Sequence, residues 1–306
     1  MMELFSPFLI NSTVQAITPI LFASLAGTLC GRVGVFNIAM EGQLLVGAFT
    51  AIAGSYYTGS AWGGVIIALV GTMTFSLILA YGVTVFRGDP VVICIGMNLL
   101  ASGMTAYLLR QMFGVSGVLS DPGIVALDKI RIAAFNSIPW LGAIFSRQTA
   151  LTYLAWIVTA LVAIVLYKTA IGLRLRGVGE DAGAAESMGV NVRRYKIVTV
   201  LIAGALSGLG GAQLSLGTVG IFSEDMSAGR GWIAVVACML GRDNPLYAAL
   251  ACVLFGVADA LSIKLQSQGL PNQLTDVLPY VVTLLALILS YRKKSGGLAG
   301  KLSAQP

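Results

Sequence analysis

The amino-acid sequence predicts an all-α integral membrane protein: about nine transmembrane helices, in two inverted four-helix repeats with one linking helix. Three observations carry this. The chain is nearly devoid of charge, its charge-free runs have the length of a bilayer, and two pairs of segments recur at almost the same offset. Of 306 residues, 57% are hydrophobic and 10% charged, with a mean hydropathy of +0.87. A soluble domain carries about 25% charged residues. This chain lacks the charge to cover its surface in water.

Composition also excludes. There is no His, which removes His general bases and His metal ligands. The four cysteines, Cys30, Cys94, Cys238 and Cys252, lie scattered in apolar stretches without ligand spacing and read as small core residues. The net charge is +6, but the basic residues sit in a few loops. That pattern points to membrane topology and membrane lipid, not to nucleic acid. No G-x-x-x-x-G-K-[ST] occurs, so the chain is not expected to hydrolyse ATP itself. No paired carboxylates or nucleophile–base pair stands out, and no catalytic residue, metal or cofactor is implied.

A bilayer-spanning helix needs about 20 apolar residues. Residues 4–31 carry no charge, and neither do residues 42–86, enough for two helices with a turn at Gly59-Ser60-Ala61-Trp62. Further charge-free runs predict helices near 14–30, 43–59, 63–86, 91–113, 149–168, 197–221, 231–241, 245–263 and 274–291. The 231–241 run is too short to span alone. It either borrows flanking residues or starts below the surface, inside the protein. The N-terminus has no Lys/Arg-rich start of the kind a cleaved signal peptide carries.

Orientation follows from Lys and Arg. With Arg292-Lys293-Lys294 in the cytoplasm, the inside holds 13 basic residues. The outside holds 6: Arg110, Lys129, Arg131, Arg147, Arg230 and Lys264. The acids divide almost evenly, as expected if only positive charge is read. Nine spans place the N-terminus outside. The chain then divides into repeat 1 (14–113), an outer loop (114–148), a linking helix (149–168), a cytoplasmic loop (169–196), repeat 2 (197–291) and a cytoplasmic tail (292–306).

The repeat rests on two pairs. Gly34-Val35-Phe36-Asn37-Ile38-Ala39-Met40 resembles Gly220-Ile221-Phe222-Ser223-Glu224-Asp225-Met226 at an offset of 186 residues, and Pro90-Val91-Val92 resembles Pro279-Tyr280-Val281-Val282 at 189. The topology puts the first loop inside and the second outside. Inverted repeats are a common transporter architecture, with the solute path between them.

A solute path needs polar side chains turned away from lipid. The candidates are Asn37, Glu41, Gln43, Asn98 and Gln213, of which the Asn and Gln amides can both donate and accept, with Phe36 and Phe222 as stacking surfaces. Asp259 lies within an apolar run near the outer end, a position that marks a functional candidate. Glu224, Asp225 and Arg230, in the outer Phe222 loop, either dock an external binding protein or form a local ion pair.

The cytoplasmic loop differs from the rest of the chain. Glu180-Asp181 followed by Ala182 to Met188 predicts a short helix with acids in its first turn and Gly189 as its stop. Its Ala and Gly surface would let another protein approach closely. Ala184-Ala185-x-x-x-Gly189 resembles the EAA…G coupling motif of ABC-transporter permeases, with Gly183 where that motif has Glu. Together with Gly31-Arg-Val-Gly-Val-Phe-Asn-Ile-Ala-Met-Glu-Gly-Gln43, Gly229-Arg-Gly-Trp-Ile-Ala-Val235 and Gly241-Arg-Asp-Asn-Pro245, it makes the chain similar to permeases of the ABC importers for simple sugars, nucleosides and branched-chain amino acids. The nucleoside branch is the most similar. The family's usual ten helices include one ahead of the first span read here.

This resemblance implies a permease in the bacterial inner membrane that moves a nucleoside or simple sugar by ATP-driven alternating access. Its implied partners are an ABC ATPase, a second permease, identical or related, and an extracytoplasmic substrate-binding protein. Glu180, Asp181, Ala184, Ala185, Met188 and Gly189 would then contact the ATPase. The alternative is an ion-coupled secondary transporter of a polar solute.

Overall fold

A computed structural model describes residues 7–130 and 148–267, together with 277, 281 and 282. Its helices are α1 (Pro7–Arg32), α2 (Met40–Thr58), α3 (Ala61–Thr84), α4 (Pro90–Phe113), α5 (Ala150–Lys168), α6 (Ala170–Glu180), α7 (Ala182–Ser187), α8 (Val192–Ala212), α9 (Arg230–Leu240) and α10 (Pro245–Ser267). A π-helical stretch, Gln213–Val219, continues α8. Among the described residues, six helices are long and apolar enough to cross a membrane: α1, α3, α4, α5, α8 with its π extension, and α10. Apart from residues 277, 281 and 282, the span expected at 274–291 lies outside the described residues, as do the basic tail and Pro279-Tyr280 of the second pair.

Local sequence explains the boundaries. Asp89 caps α4, its Oδ1 accepting from the Val91 and Val92 N–H groups with Pro90 in the first turn, where a missing N–H costs nothing. Gly59, at φ +62°, closes α2 in the left-handed conformation, and α3 starts two residues later. Several threonine hydroxyls inside the spans bond back along their own helices, as Thr72 Oγ1 does to the Ala68 carbonyl at 2.7 Å. They therefore need no external partner in an apolar surrounding.

Helix α2 is the centre of the bundle. It packs on α3, α4, α8 and α9 and is buried along most of its length, so it tolerates Glu41, Gln43 and Ser55, which a lipid-facing helix would not. Small residues permit the close approach. Gly47 of α2 meets Gly208 of α8, and a Cβ on Gly211 would collide with the backbone of Leu44 and Ala48. Gly208 also sits against Thr72 and the Ala68 carbonyl of α3. Gly208→Val is therefore expected to destabilise the bundle by about 1–3 kcal/mol through overpacking, measurable as a lower thermal unfolding midpoint in detergent.

The two Phe-containing loops lie at opposite ends of the bundle. The Phe36 loop begins where Gly34 packs on Gly179 of α6. Phe222–Ser223 pairs antiparallel with Val118–Leu119, just beyond α4, at the end where Tyr56 of α2 meets Phe113. A second short ladder joins Lys129–Ile130 to Gln148–Thr149.

The loop 169–196 is a helical hairpin, which corrects one expectation. Residues 170–180 form α6, so Glu180 ends that helix instead of opening the next. Asp181 is the cap of α7, its Oδ1 accepting from the Ala184 N–H at 3.0 Å. Gly189, at φ +80°, ends the hairpin. Ala184, Met188 and Gly189 are exposed, but Ala185 points inward and is only 9% exposed. Two glycines of α6 serve close packing: a Cβ on Gly172 would strike the Val165 carbonyl, and one on Gly179 the Arg32 carbonyl.

Candidate functional site: a helix junction inside the membrane

Helix α9 has 11 residues and rises only about 17 Å, roughly half of a ~30 Å hydrocarbon core. Its C-terminal end lies beside Arg32, at the end of α1. Its N-terminus therefore starts near the middle of the bundle. The chain enters this point from the opposite end, through the non-helical stretch 220–229. Helix α2 starts in a similar way from the other side: the chain turns at Gly34 (φ +75°), runs non-helically through 35–38, and begins α2 with Met40 against Gly27 of α1.

The two helix starts meet. Glu41 Oε1 accepts from the Gly229 N–H at 2.8 Å and Oε2 from the Gly231 N–H at 2.7 Å. A carboxylate on a helix N-terminus satisfies orphan donors and complements the helix dipole. The partners are separated by 188 and 190 residues, close to the 186- and 189-residue offsets of the repeat. Gly231 can only be glycine, because its Cβ would collide with the Glu41 backbone. Gly231→Ala is expected to separate the two helix starts and leave little folded protein, as size-exclusion chromatography would show.

Neighbouring charges share this depth. The Arg230 guanidinium stands 3.8 Å from the Asp259 carboxylate. Asp225 Oδ1 accepts from Ser102 Oγ at 2.7 Å, and Ser102 lies halfway along α4. Asp225 and Ala228 adopt φ +53° and +46°, strained values for non-glycine residues. Arg230 is thus not an outer-rim residue, as the sequence suggested. Of the three expected there, Glu224 stays nearest the rim. It accepts from the Gly117 N–H at 3.1 Å and lies 3.8 Å from Arg110.

Most of the expected path residues are bonded to other parts of the chain, and Asn37 and Gln43 to each other. Gln43 is fully buried: its Nε2 donates to Ser76 Oγ at 3.0 Å, and its Oε1 accepts from Ser207 Oγ at 3.1 Å and Asn37 Nδ2 at 3.3 Å. Asn37 Oδ1 accepts from the Ala39 N–H. Asn98 staples the start of α2 to α4, accepting from the Gly42 N–H at 2.8 Å and donating to the Ile38 carbonyl at 3.0 Å. Gln213 Oε1 accepts from Thr149 Oγ1 at 2.6 Å. Phe222 is buried, edge-on to Phe49 with centroids 5.3 Å apart. Of the candidates, Phe36 alone is an exposed ring, 44% accessible, at a cavity of about 200 Å³ beside α9. Sequence reasoning missed Ser102, whose small hydroxyl in an apolar helix gives no signal, and the pairing of Arg230 with Asp259.

This fold and junction define a membrane transport subunit. The family described as branched-chain amino acid transport system / permease component matches residues 9–287, and the chain belongs to that family. It is 32% identical to the guanosine ABC transporter permease protein NupQ of Bacillus subtilis, over 91% of this chain and 90% of that one. It is 34% identical to the nucleoside ABC transporter permease protein NupC of Lactococcus lactis, over 89% and 88%. TsgC13 of Haloferax volcanii, a permease protein named for glucose transport, is 33% identical over 92% and 86%. Among solved structures, an inward-facing metal-chelate type ABC transporter aligns with a TM-score of 0.54 at 16% identity, over 91% of this chain and 85% of that one, and shares the fold.

Proposed function

We propose that this permease of an ABC importer carries nucleosides across the bacterial inner membrane, fed by an external binding protein and driven by an ATPase on its cytoplasmic side. The carrying observation is the pair of guanosine and nucleoside permeases that resemble the chain over about nine-tenths of its length. A simple sugar is the second reading, favoured by the likeness to TsgC13. The ion-coupled alternative loses ground: Glu41 is occupied by two backbone bonds, and Asp259 faces Arg230. Mass spectrometry of the solute retained by the copurifying binding protein tests the substrate class. A nucleoside supports the reading, and a phosphorylated or cationic metabolite counts against it.

The path runs along α4 and the stretch 223–230. Non-helical backbone and an exposed carboxylate at mid-depth cannot face lipid, so they face water and the second permease. Asp225, with a hydroxyl partner on one oxygen, suits the hydroxyl and N–H donors of a neutral solute and repels anions. Asp225→Ala is expected to cut uptake about 10–100-fold, the worth of one hydrogen bond to a charged group, while the ATPase still copurifies. The halves 14–113 and 197–291 act as the two repeats, the N-terminus lies outside, and Glu224 at the rim meets the binding protein.

The partner permease is a related chain, not a second copy. Two relatives come from each of two organisms: NupQ and NupP at 32% and 30% identity, NupC and NupB at 34% and 25%. The chain is more similar to the first of each pair. The exposed residues of the hairpin, Glu180, Asp181, Ala184, Met188 and Gly189, form the ATPase contact, with Ala185 holding the hairpin in shape from within.

A further inference from the structure

Each end of α9 is held by a charged side chain from one short connection. At the C-terminal end, Arg32 Nε donates to the Asp243 carbonyl at 2.5 Å, and its Nη2 donates to the Arg242 carbonyl at 3.2 Å and to Tyr167 Oη at 3.0 Å. Arg242 and Asp243 have φ +51° and +53°. Two successive non-glycine residues in this conformation require an external hold. The Asp243 carboxylate accepts from Cys238 Sγ at 3.0 Å and fills the space over Gly31, where no Cβ fits. At the N-terminal end, Glu41 accepts from Gly229 and Gly231. A cation on the carbonyl end and an anion on the N–H end match the helix dipole.

Between these grips, part of the contact is open. The cavity of about 200 Å³ separates Gly27, Val35, Phe36 and Met40 from Val235 and Met239. On the other side, Arg32 connects to the cytoplasmic hairpin. Arg32 and Arg176 both lean on the Tyr167 ring, at 5.8 Å and 5.3 Å from its centroid, and Gly179 packs on the Arg32 carbonyl too closely for a Cβ.

We infer that residues 32–41 form a bracket that makes α9 a rod moved by the hairpin, with Arg32 as the positioning residue that carries the motion to the Glu41–Gly231 junction. This rests on the hairpin being the ATPase dock. Arg32 and Glu41, both within the Gly31–Gln43 stretch, stand at the two ends of α9.

The test uses the full complex in proteoliposomes, with ATP hydrolysed per solute moved as the readout. Arg32→Gln removes the charge and the forked donor set. It is expected to keep the ATPase bound while raising ATP consumed per solute at least tenfold, within the range of ordinary coupling energies. Arg32→Lys, a point charge that cannot fork, is expected to fall between. Tyr167→Leu removes the ring on which both arginines lean, at a half-buried position. It is expected to raise the ratio about fivefold, and it decides the question if Arg32→Gln does not fold. A wild-type ratio in either variant with the ATPase still bound overturns the bracket alone. A wild-type permease that holds no ATPase overturns the docking reading and the bracket with it.

Discussion

Glu41→Ala is expected to abolish uptake and to lower the thermal unfolding midpoint of the purified protein sharply. The side chain supplies both acceptors for the start of α9. Two hydrogen bonds to a charged group are lost and two interior N–H groups are stranded, a cost of about 3–6 kcal/mol in all. That is comparable with the whole stability of many proteins. Glu41→Gln keeps one acceptor for one N–H and is expected to lose about half as much. Differential scanning fluorimetry in detergent, run beside uptake in proteoliposomes, checks both. An alanine variant with a native midpoint would show that α9 does not depend on this cap.

Replacing Ala184 or Met188 by Arg is expected to remove ATP-driven uptake entirely while leaving the permease folded. Met188 is 84% exposed and Ala184 is exposed beside it, so neither change disturbs the hairpin. Each places a long charged side chain in a contact built on small residues, and the ATPase should no longer copurify. Ala185→Arg has a different expected outcome. Ala185 packs inward, so the charge would enter the hairpin itself and the permease would lose stability. Comparing the three by size-exclusion chromatography and ATPase retention separates surface from scaffold. Full uptake by the Ala184 and Met188 variants would contradict the docking assignment.

Much of this molecule is legible in its sequence, because lipid imposes a simple rule on charge. Runs free of Asp, Glu, Lys and Arg mark the spans, and the short 231–241 run already shows a helix that must either borrow flanking residues or start inside the protein. Helix α6 was not legible. Gly172, Gly177 and Gly179 disfavour a helix locally, and packing against Leu166 and Arg32 explains the first and the last of them. The site was half legible. A polar side chain in an apolar run must avoid lipid, but sequence does not say whether its partner is a solute or another side chain. For Gln43 and Asn98 the partners are other parts of the chain. The depth of Arg230 was hidden for a related reason: a charge beside a short run reads as a loop charge until the half-helix is seen to begin there.

The account's central claim is tested most directly by radiolabelled guanosine uptake into proteoliposomes that hold this chain, its related permease and the ATPase, with the binding protein added on the extracytoplasmic side. The expected result is accumulation that requires ATP at the cytoplasmic face, is competed by other nucleosides, and persists when ion gradients are collapsed. Accumulation that ignores ATP and follows an ion gradient, or competition by charged metabolites but not by nucleosides, would contradict it.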